Sequence, residues 1–331
     1  MKKLILMLSV VLFAALPVLA QGSSPAPPPA NTAPAAQAQP SPGPGADPGH
    51  QEITKFRADV SEVSVIFTVT DKHGHYMKDL KLDDFRVLDD GKPPASVKAF
   101  QSETNLPLRA GLLIDSSNSI RDRFRFEQEA ATEFLHQIIR PKSDLAFVMG
   151  FDVNHEVQQD FTDDTEKLAR GIGGLRPGGG TALFDAIYYA CKDEFMGAHA
   201  AGQARRAIIL LSDGDDNQSM VSREEAVEMA QRAEVIIYAI STNISDSKTR
   251  GDKVLERFAE MTGGRVFYPY KLEDVSNAFS EIQDELRSQY AIIYKPANFI
   301  SDGHYRSILL EPAKNKSFKV RARKGYFSPR P

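Results

Sequence analysis

The sequence predicts an α/β protein. Its main body is a doubly wound, mostly parallel sheet, flanked by a small antiparallel β-sandwich built from both chain ends. Three observations carry this. Between about Leu106 and Gln289, aliphatic runs of strand length alternate with amphipathic runs of helix length. On either side, apolar residues recur at every second position. The run Leu112-Leu113-Ile114 stops abruptly at Asp115, with hydroxyls at Ser117 and Ser119. Buried parallel strands read as continuous aliphatic runs, and open α/β sheets bind ligands just beyond the carboxyl ends of their strands.

Taken in order, residues 1–20 read as an export signal. Lys2 and Lys3 precede an apolar run from Leu4 to about Leu16, and Val18-Leu19-Ala20 supplies the small residues for cleavage after Ala20. The run is too short for a membrane anchor and breaks at Pro17. No Cys follows it, which argues against a lipoprotein. Residues 21–50 are Pro, Ala, Gln, Ser and Gly, a composition that buries too little surface to order itself and reads as a disordered linker. The mature protein is expected to be soluble and exported, periplasmic or secreted. No C-terminal anchor and no later membrane-spanning run is evident.

The segment 51–105 carries strand signals at Val63–Thr70, Phe85–Leu88 and Ser96–Phe100, with turns at Asp71-Lys72-His73-Gly74 and Asp89-Asp90-Gly91. The segment 290–331 repeats the pattern at Tyr290–Tyr294, Tyr305–Leu310 and Phe318–Ala322. Each half alone leaves strand edges unpaired, so the two are expected to pair into one sandwich with 106–289 inserted between them. In that middle, strands are expected at Arg109–Ile114, Leu145–Phe151, Ala207–Leu211, Val235–Ile240 and Arg265–Tyr268, with Glu156–Phe161 as an antiparallel edge. Helices are expected at Phe124–Ile139, Thr165–Ile172, Ala182–Phe195, Arg223–Arg232, Lys253–Met261 and Leu272–Leu286.

Composition excludes some functions. The formal charge is −4, two lysines leave with the signal, and no basic patch stands out, so neither nucleic acid nor an anionic membrane is the expected partner. The single Cys191 cannot form an internal disulfide and reads as a small core residue in a helix.

Three strand–helix junctions carry matching oxygen chemistry. Asp115, Ser117 and Ser119 follow one strand. Pro177-Gly178-Gly179-Gly180-Thr181 precedes a helix, where glycines admit a ligand close to the backbone and Thr181 presents a hydroxyl. Leu211-Ser212-Asp213-Gly214 ends another strand. Parallel strands share a carboxyl end, so Asp115, Ser117, Ser119, Thr181 and Asp213 should converge. These hard oxygens suit Mg²⁺, with Mn²⁺ as the alternative and Ca²⁺ the poorer fit. The competing reading is that these residues only cap helices.

The motif Asp-x-Ser-x-Ser with a distant Thr and a distant Asp resembles the metal-ion-dependent adhesion site (MIDAS) of von Willebrand factor type A (vWA) domains, and the resemblance covers the whole middle segment. The settings Arg176–Leu183 and Leu211–Asp215 are similar to that family's too. The complete chain, with its signal, Pro-rich spacer, Phe85-Arg86-Val87 and Ser288-Gln289-Tyr290, resembles the vWA-related exported proteins of Acidobacteria. The resemblance implies a Rossmann-like vWA fold. It also implies that Ser117 and Ser119 bind the cation directly, Thr181 directly or through water, and Asp115 and Asp213 in either way.

Mg²⁺ held by few anionic ligands keeps an open position, which the Asp or Glu carboxylate of a partner protein suits. The expected function is thus a non-enzymatic, Mg²⁺-dependent adhesion or scaffold module. An accessory or assembly factor for an envelope enzyme complex is the alternative, and a hydrolase the weaker one. No Gly-x-Ser-x-Gly elbow surrounds Ser117 or Ser119, and the glycine loop lacks the P-loop Lys. Two further patterns mimic metal sites. Asp213 to Glu224 mimics an EF-hand spacing but has Gln218 in place of the Gly. His73 and His75 flank a turn without a third ligand. The charged run Arg121–Arg125 reads as a solvated helix start that could also rim the site.

Overall fold

A computed structural model describes residues 62–102, 106–118, 123–197, 204–243, 247–269, 271 and 273–330. The expected signal (1–20), the linker (21–50), Ser119 and Leu272 lie outside the described residues.

The central sheet has the order β6-β5-β4-β7-β8-β9. Its strands are β4 (Leu108–Asp115), β5 (Leu145–Phe151), β6 (His155–Thr162), β7 (Arg205–Ser212), β8 (Val235–Ser241) and β9 (Val266–Phe267). All pairings are parallel except β5 with β6, which is the antiparallel edge the sequence predicts. The chain runs from β4 outward to β5 and β6, then crosses back to place β7, β8 and β9 on the other side of β4. The strand order therefore reverses between β4 and β7, the topological switch point where such sheets form a crevice beyond their carboxyl ends.

Both faces of the sheet are buried, which is why β4 and β7 read as unbroken aliphatic runs. Alternate residues serve opposite cores. Leu112, Ile114, Ile209 and Leu211 pack with α1 (Phe124–Ile138), α2 (Thr165–Gly174) and α6 (Glu273–Leu286). Leu113, Ile208 and Leu210 pack with α3 (Leu183–Tyr189), α4 (Arg223–Arg232) and α5 (Arg250–Thr262). Gly111 is required by this packing, since a Cβ there would lie 2.5 Å from Phe147 Cζ.

Every expected helix of the middle segment forms, with one difference. The predicted helix Ala182–Phe195 is α-helical only to Tyr189, and Ala190–Phe195 is a wider turn in which the Met196 amide donates to the Cys191 carbonyl. The widening lets Phe195 stack edge-on against both Phe147 and Phe161, at 5.4 and 5.8 Å. Cys191 is fully buried, and burial pushes its thiol far up, as a core residue requires.

The chain ends pair as expected. One sheet has the order β12-β1-β10-β3, from β1 (Val63–Thr70), β3 (Ser96–Ser102), β10 (Tyr290–Lys295) and β12 (Lys319–Ala322). The other has β13-β11-β2, from β2 (Phe85–Asp89), β11 (Tyr305–Pro312) and β13 (Gly325–Phe327). Between them lies an aromatic core in which Phe67 meets Phe85 at 5.1 Å and Tyr290 at 5.7 Å. Buried Asp89 accepts from Tyr294 Oη (2.8 Å) and Tyr326 Oη (3.1 Å), tying the two sheets together with a satisfied polar pair.

Candidate metal centre

At the switch point, β4 and β7 deliver their last residues side by side, with Ile114 in register with Leu211. Asp115 is completely buried. Its Oδ1 accepts from the Ser117 amide (2.8 Å) and its Oδ2 from Ser212 Oγ (2.9 Å), so the carboxylate is fixed by both loops. Ser117 and Thr181 are 3% and 4% exposed, while Asp213 is half-buried.

The glycine loop closes against the first loop. The Gly178 amide donates to the Ser116 carbonyl (2.6 Å) and Asn118 Nδ2 to the Gly179 carbonyl (3.3 Å). Thr181 is clamped through its backbone. Its amide donates to Asn217 Oδ1, and its carbonyl accepts from the Asn217 and Gln218 amides, each at 3.0 Å. Its hydroxyl takes no partner among the described residues. Asp213 is set by its neighbours: Asn243 Nδ2 donates to its carbonyl (3.1 Å), and its Oδ1 accepts from the Asp215 amide (3.0 Å). Gly214, at φ +80°, lets this loop touch the start of α5. A Cβ there would sit 2.2 Å from the Gly251 carbonyl oxygen, and one on Gly251 would sit 2.1 Å from that of Asp213.

The structure thus brings Asp115, Ser117, Thr181 and Asp213 to one edge; Ser119 belongs to the same loop but lies outside the described residues. Capping does not explain them. Asp164, Ser222 and Thr249 do cap α2, α4 and α5 through their side chains. By contrast, the residues that precede α1 and α3 are Arg123 and Ala182, and neither makes a side-chain cap. Hydroxyls on two buried residues and two carboxylates at the switch point suit a small divalent cation. Among the described residues, no cluster of three His, Cys, Asp or Glu side chains gathers to hold a metal, so such a site depends on its hydroxyls. Burial pushes the Asp115 carboxyl up to about 6, with Asp213 adding to the rise, while the Ser117 and Ser212 hydrogen bonds oppose it.

Both decoys resolve into local structure. Asp216 Oδ2 accepts from the Phe184 amide (3.0 Å) and Ser219 Oγ (2.5 Å), so it braces the start of α3 rather than a calcium loop. Asp71 Oδ1 accepts from the His73 and His75 amides, which makes that segment an exposed turn. Of the charged run, Arg121 and Asp122 lie outside the described residues, Arg125 pairs with Glu129 in solvent, as expected, and Arg123 is buried.

Sequence reasoning missed several supports. Ser212 is legible afterwards as a hydroxyl abutting Asp213. Asn217 and Asn243 carry no periodic signal. Arg123, just before α1, and Glu127, in its first turn, are both buried but read in sequence as ordinary charges on a helix surface.

The model of the von Willebrand factor type A domain matches residues 111–285, just over half of the 331-residue chain. Similar solved structures include a von Willebrand factor type A protein from Catenulispora acidiphila, at 13% identity over 80% of this chain and 73% of that one, TM-score 0.48. Another is proximal thread matrix protein 1 from the mussel byssus with a zinc-occupied MIDAS motif, at 18% identity over 60% and 49%, TM-score 0.49. A third is the PilB minor pilin from Streptococcus sanguinis, at 13% identity over 60% and 63%, TM-score 0.44. The chain spans about half of the mussel protein's length and less than two thirds of the pilin's. No curated protein matches it. With a six-stranded sheet of this order and that match across it, the chain belongs to the von Willebrand factor type A domain family.

Proposed function

We propose that this protein is an exported, non-enzymatic binding module that grips the carboxylate of a partner protein through a Mg²⁺ ion. Asp115, Ser117, Ser119, Thr181 and Asp213 would hold the ion, completing a MIDAS; Mn²⁺ would serve in its place. The single observation that carries this reading is Thr181, a buried residue whose hydroxyl takes no hydrogen bond among the described residues while its backbone is clamped on both sides. A hydroxyl held so rigidly, on the loop pinned to the one that follows the buried Asp115, is prearranged for a ligand.

When bound, the cation would supply a positive centre with an open position for an acidic group. The chain's own residues supply rigidity. Asp115 is locked by Ser117 and Ser212, and the glycine loop is pinned to the first loop. Two carboxylates only balance the ion's charge, which preserves its attraction for a third. The vWA family commonly mediates protein–protein contacts, which supports the same reading. Among the described residues, no helix is long and apolar enough to cross a membrane. Export rests on the sequence of residues 1–20.

The test is a pull-down from the source cell envelope with the full mature chain as bait. Proteins retained in Mg²⁺ should be released by chelator and should not be retained by Asp115→Ala. Equal retention in chelator and by the variant would overturn the reading.

A further inference from the structure

The most unusual carboxylate in the molecule is not one of the expected ligands. Glu127, in the first turn of α1, is 1% exposed, and both its oxygens lack a hydrogen-bond partner among the described residues. Beside it, Arg123 is 7% exposed, with its Nε 3.8 Å from Glu127 Oε1. Arg123 spends Nη1 on the Thr242 carbonyl (2.9 Å), but its Nε and Nη2 are unpartnered, as is the buried Thr242 hydroxyl. Five unpartnered buried polar atoms therefore gather at one place, between the helix leaving the first metal loop and the loop leaving β8.

This place is joined to the metal centre in two ways. The Thr242 amide donates to the Ser212 carbonyl (3.1 Å), so Arg123 braces the Asp213 loop through Thr242. The charge of Glu127 is also coupled to the site: after burial, the carboxylates that raise its proton affinity are Asp115 and Asp213. Asp252, the neighbouring buried carboxylate on this edge, is built differently. It accepts from Ser241 Oγ (2.6 Å), Asn243 Nδ2 (3.0 Å) and the Thr249 amide (2.8 Å) and is a satisfied structural group. Native proteins rarely leave a buried carboxylate without such partners, and those that persist call for a specific balancing charge.

We propose that Glu127 belongs to the cation site as a charge outside the ligand set. Asp115, Asp213 and Glu127 carry three negative charges, which Arg123 and a divalent cation together neutralise. Glu127 thus strengthens cation binding without touching the ion, and Arg123 keeps it tolerable when the ion leaves. The proposal rests on the reading of the site as a cation centre.

The test compares the mature protein with Glu127→Gln, titrating Mg²⁺ calorimetrically at pH 8.5 and measuring Tm in Mg²⁺ and in chelator. Glu127→Gln should bind Mg²⁺ roughly 10–100-fold more weakly, the range seen for groups that act from behind metal ligands. Its Tm in chelator should be unchanged or higher, because without the ion three carboxylates face one arginine and one of the repelling charges has gone, so the rise on adding Mg²⁺ shrinks. A purely structural Glu127 would instead lower Tm equally in both conditions and leave Mg²⁺ affinity alone. Should Gln fail to fold, Glu127→Met, of similar volume, carries the same expectation. Unchanged affinity in the variant that folds would overturn this proposal alone. No Mg²⁺ binding by the wild type would instead overturn the reading of the site on which it rests.

Discussion

Two buried glutamates stand at opposite ends of the vWA unit and are treated in opposite ways. Glu285, in the last turn of α6, lies near the amino ends of the strands and is completely buried. It meets Arg321 of β12 at 2.7 and 2.8 Å, and accepts from Tyr76 Oη (3.0 Å) and Thr68 Oγ1 (3.3 Å). Next to it, Arg205, the first residue of β7, donates to the Leu286 carbonyl, and Gln289 Nε2 donates to Tyr238 Oη (3.2 Å). Here the sandwich grips the end of the helix with every oxygen satisfied. Glu127, at the carboxyl ends of the strands, has neither oxygen satisfied. Full pairing marks a joint that holds the architecture, and incomplete pairing marks a place arranged for something else.

The largest expected effect lies at the satisfied end. Glu285→Ala strips Arg321, Tyr76 and Thr68 of a common acceptor, and breaking one side of a buried ion pair costs about 3–5 kcal/mol. Urea unfolding should show this loss equally in Mg²⁺ and in chelator, with Mg²⁺ affinity unchanged. A loss confined to Mg²⁺ would mean that the two ends are energetically coupled, and the contrast would break.

A smaller effect, of reversed sign, follows for the unsatisfied end as pH changes. Burial raises Asp115 from 3.8 to about 6 and Glu127 from 4.5 to about 7, so the folded protein binds protons that the unfolded chain has released. The stability these groups contribute is therefore complete below about pH 4 and is lost as pH rises through about 6 to 7. In chelator, the contribution of this end to unfolding free energy should fall across that window. Mg²⁺, which favours the charged forms, should flatten the fall. Double substitution with Asp115→Asn and Glu127→Gln should remove the slope; a slope that persists unchanged would assign it elsewhere.

Much of this architecture is legible in the sequence because it is periodic. The doubly buried strands β4, β7 and β8 announce themselves as aliphatic runs, and β1 by its alternation at Val63, Val65, Phe67 and Val69. The Asp115 and Asp213 junctions are visible for the same reason, each sitting where an aliphatic run ends; the Thr181 loop, expected at a third strand–helix junction, instead links α2 to α3 and is marked in the sequence by its glycines. The widened turn at Ala190–Phe195 was not, because its one-residue excess leaves the apolar spacing helical and is decided by Phe195 reaching two rings. Nor were Arg123 and Glu127, since an i,i+4 Arg–Glu pair looks the same whether it faces solvent, as Arg125–Glu129 does, or the interior. The Glu285–Arg321 joint links residues from two segments far apart in the chain and has no local signature.

The most decisive effect on binding belongs to Asp115. Calorimetric titration of Mg²⁺ into the mature wild type and Asp115→Ala, both folded by circular dichroism, tests the central claim directly. One Mg²⁺ per chain in the wild type, with binding abolished in the variant, is the predicted result. No Mg²⁺ binding by the wild type, or equal binding by Asp115→Ala, would contradict the assignment of this edge as a cation centre.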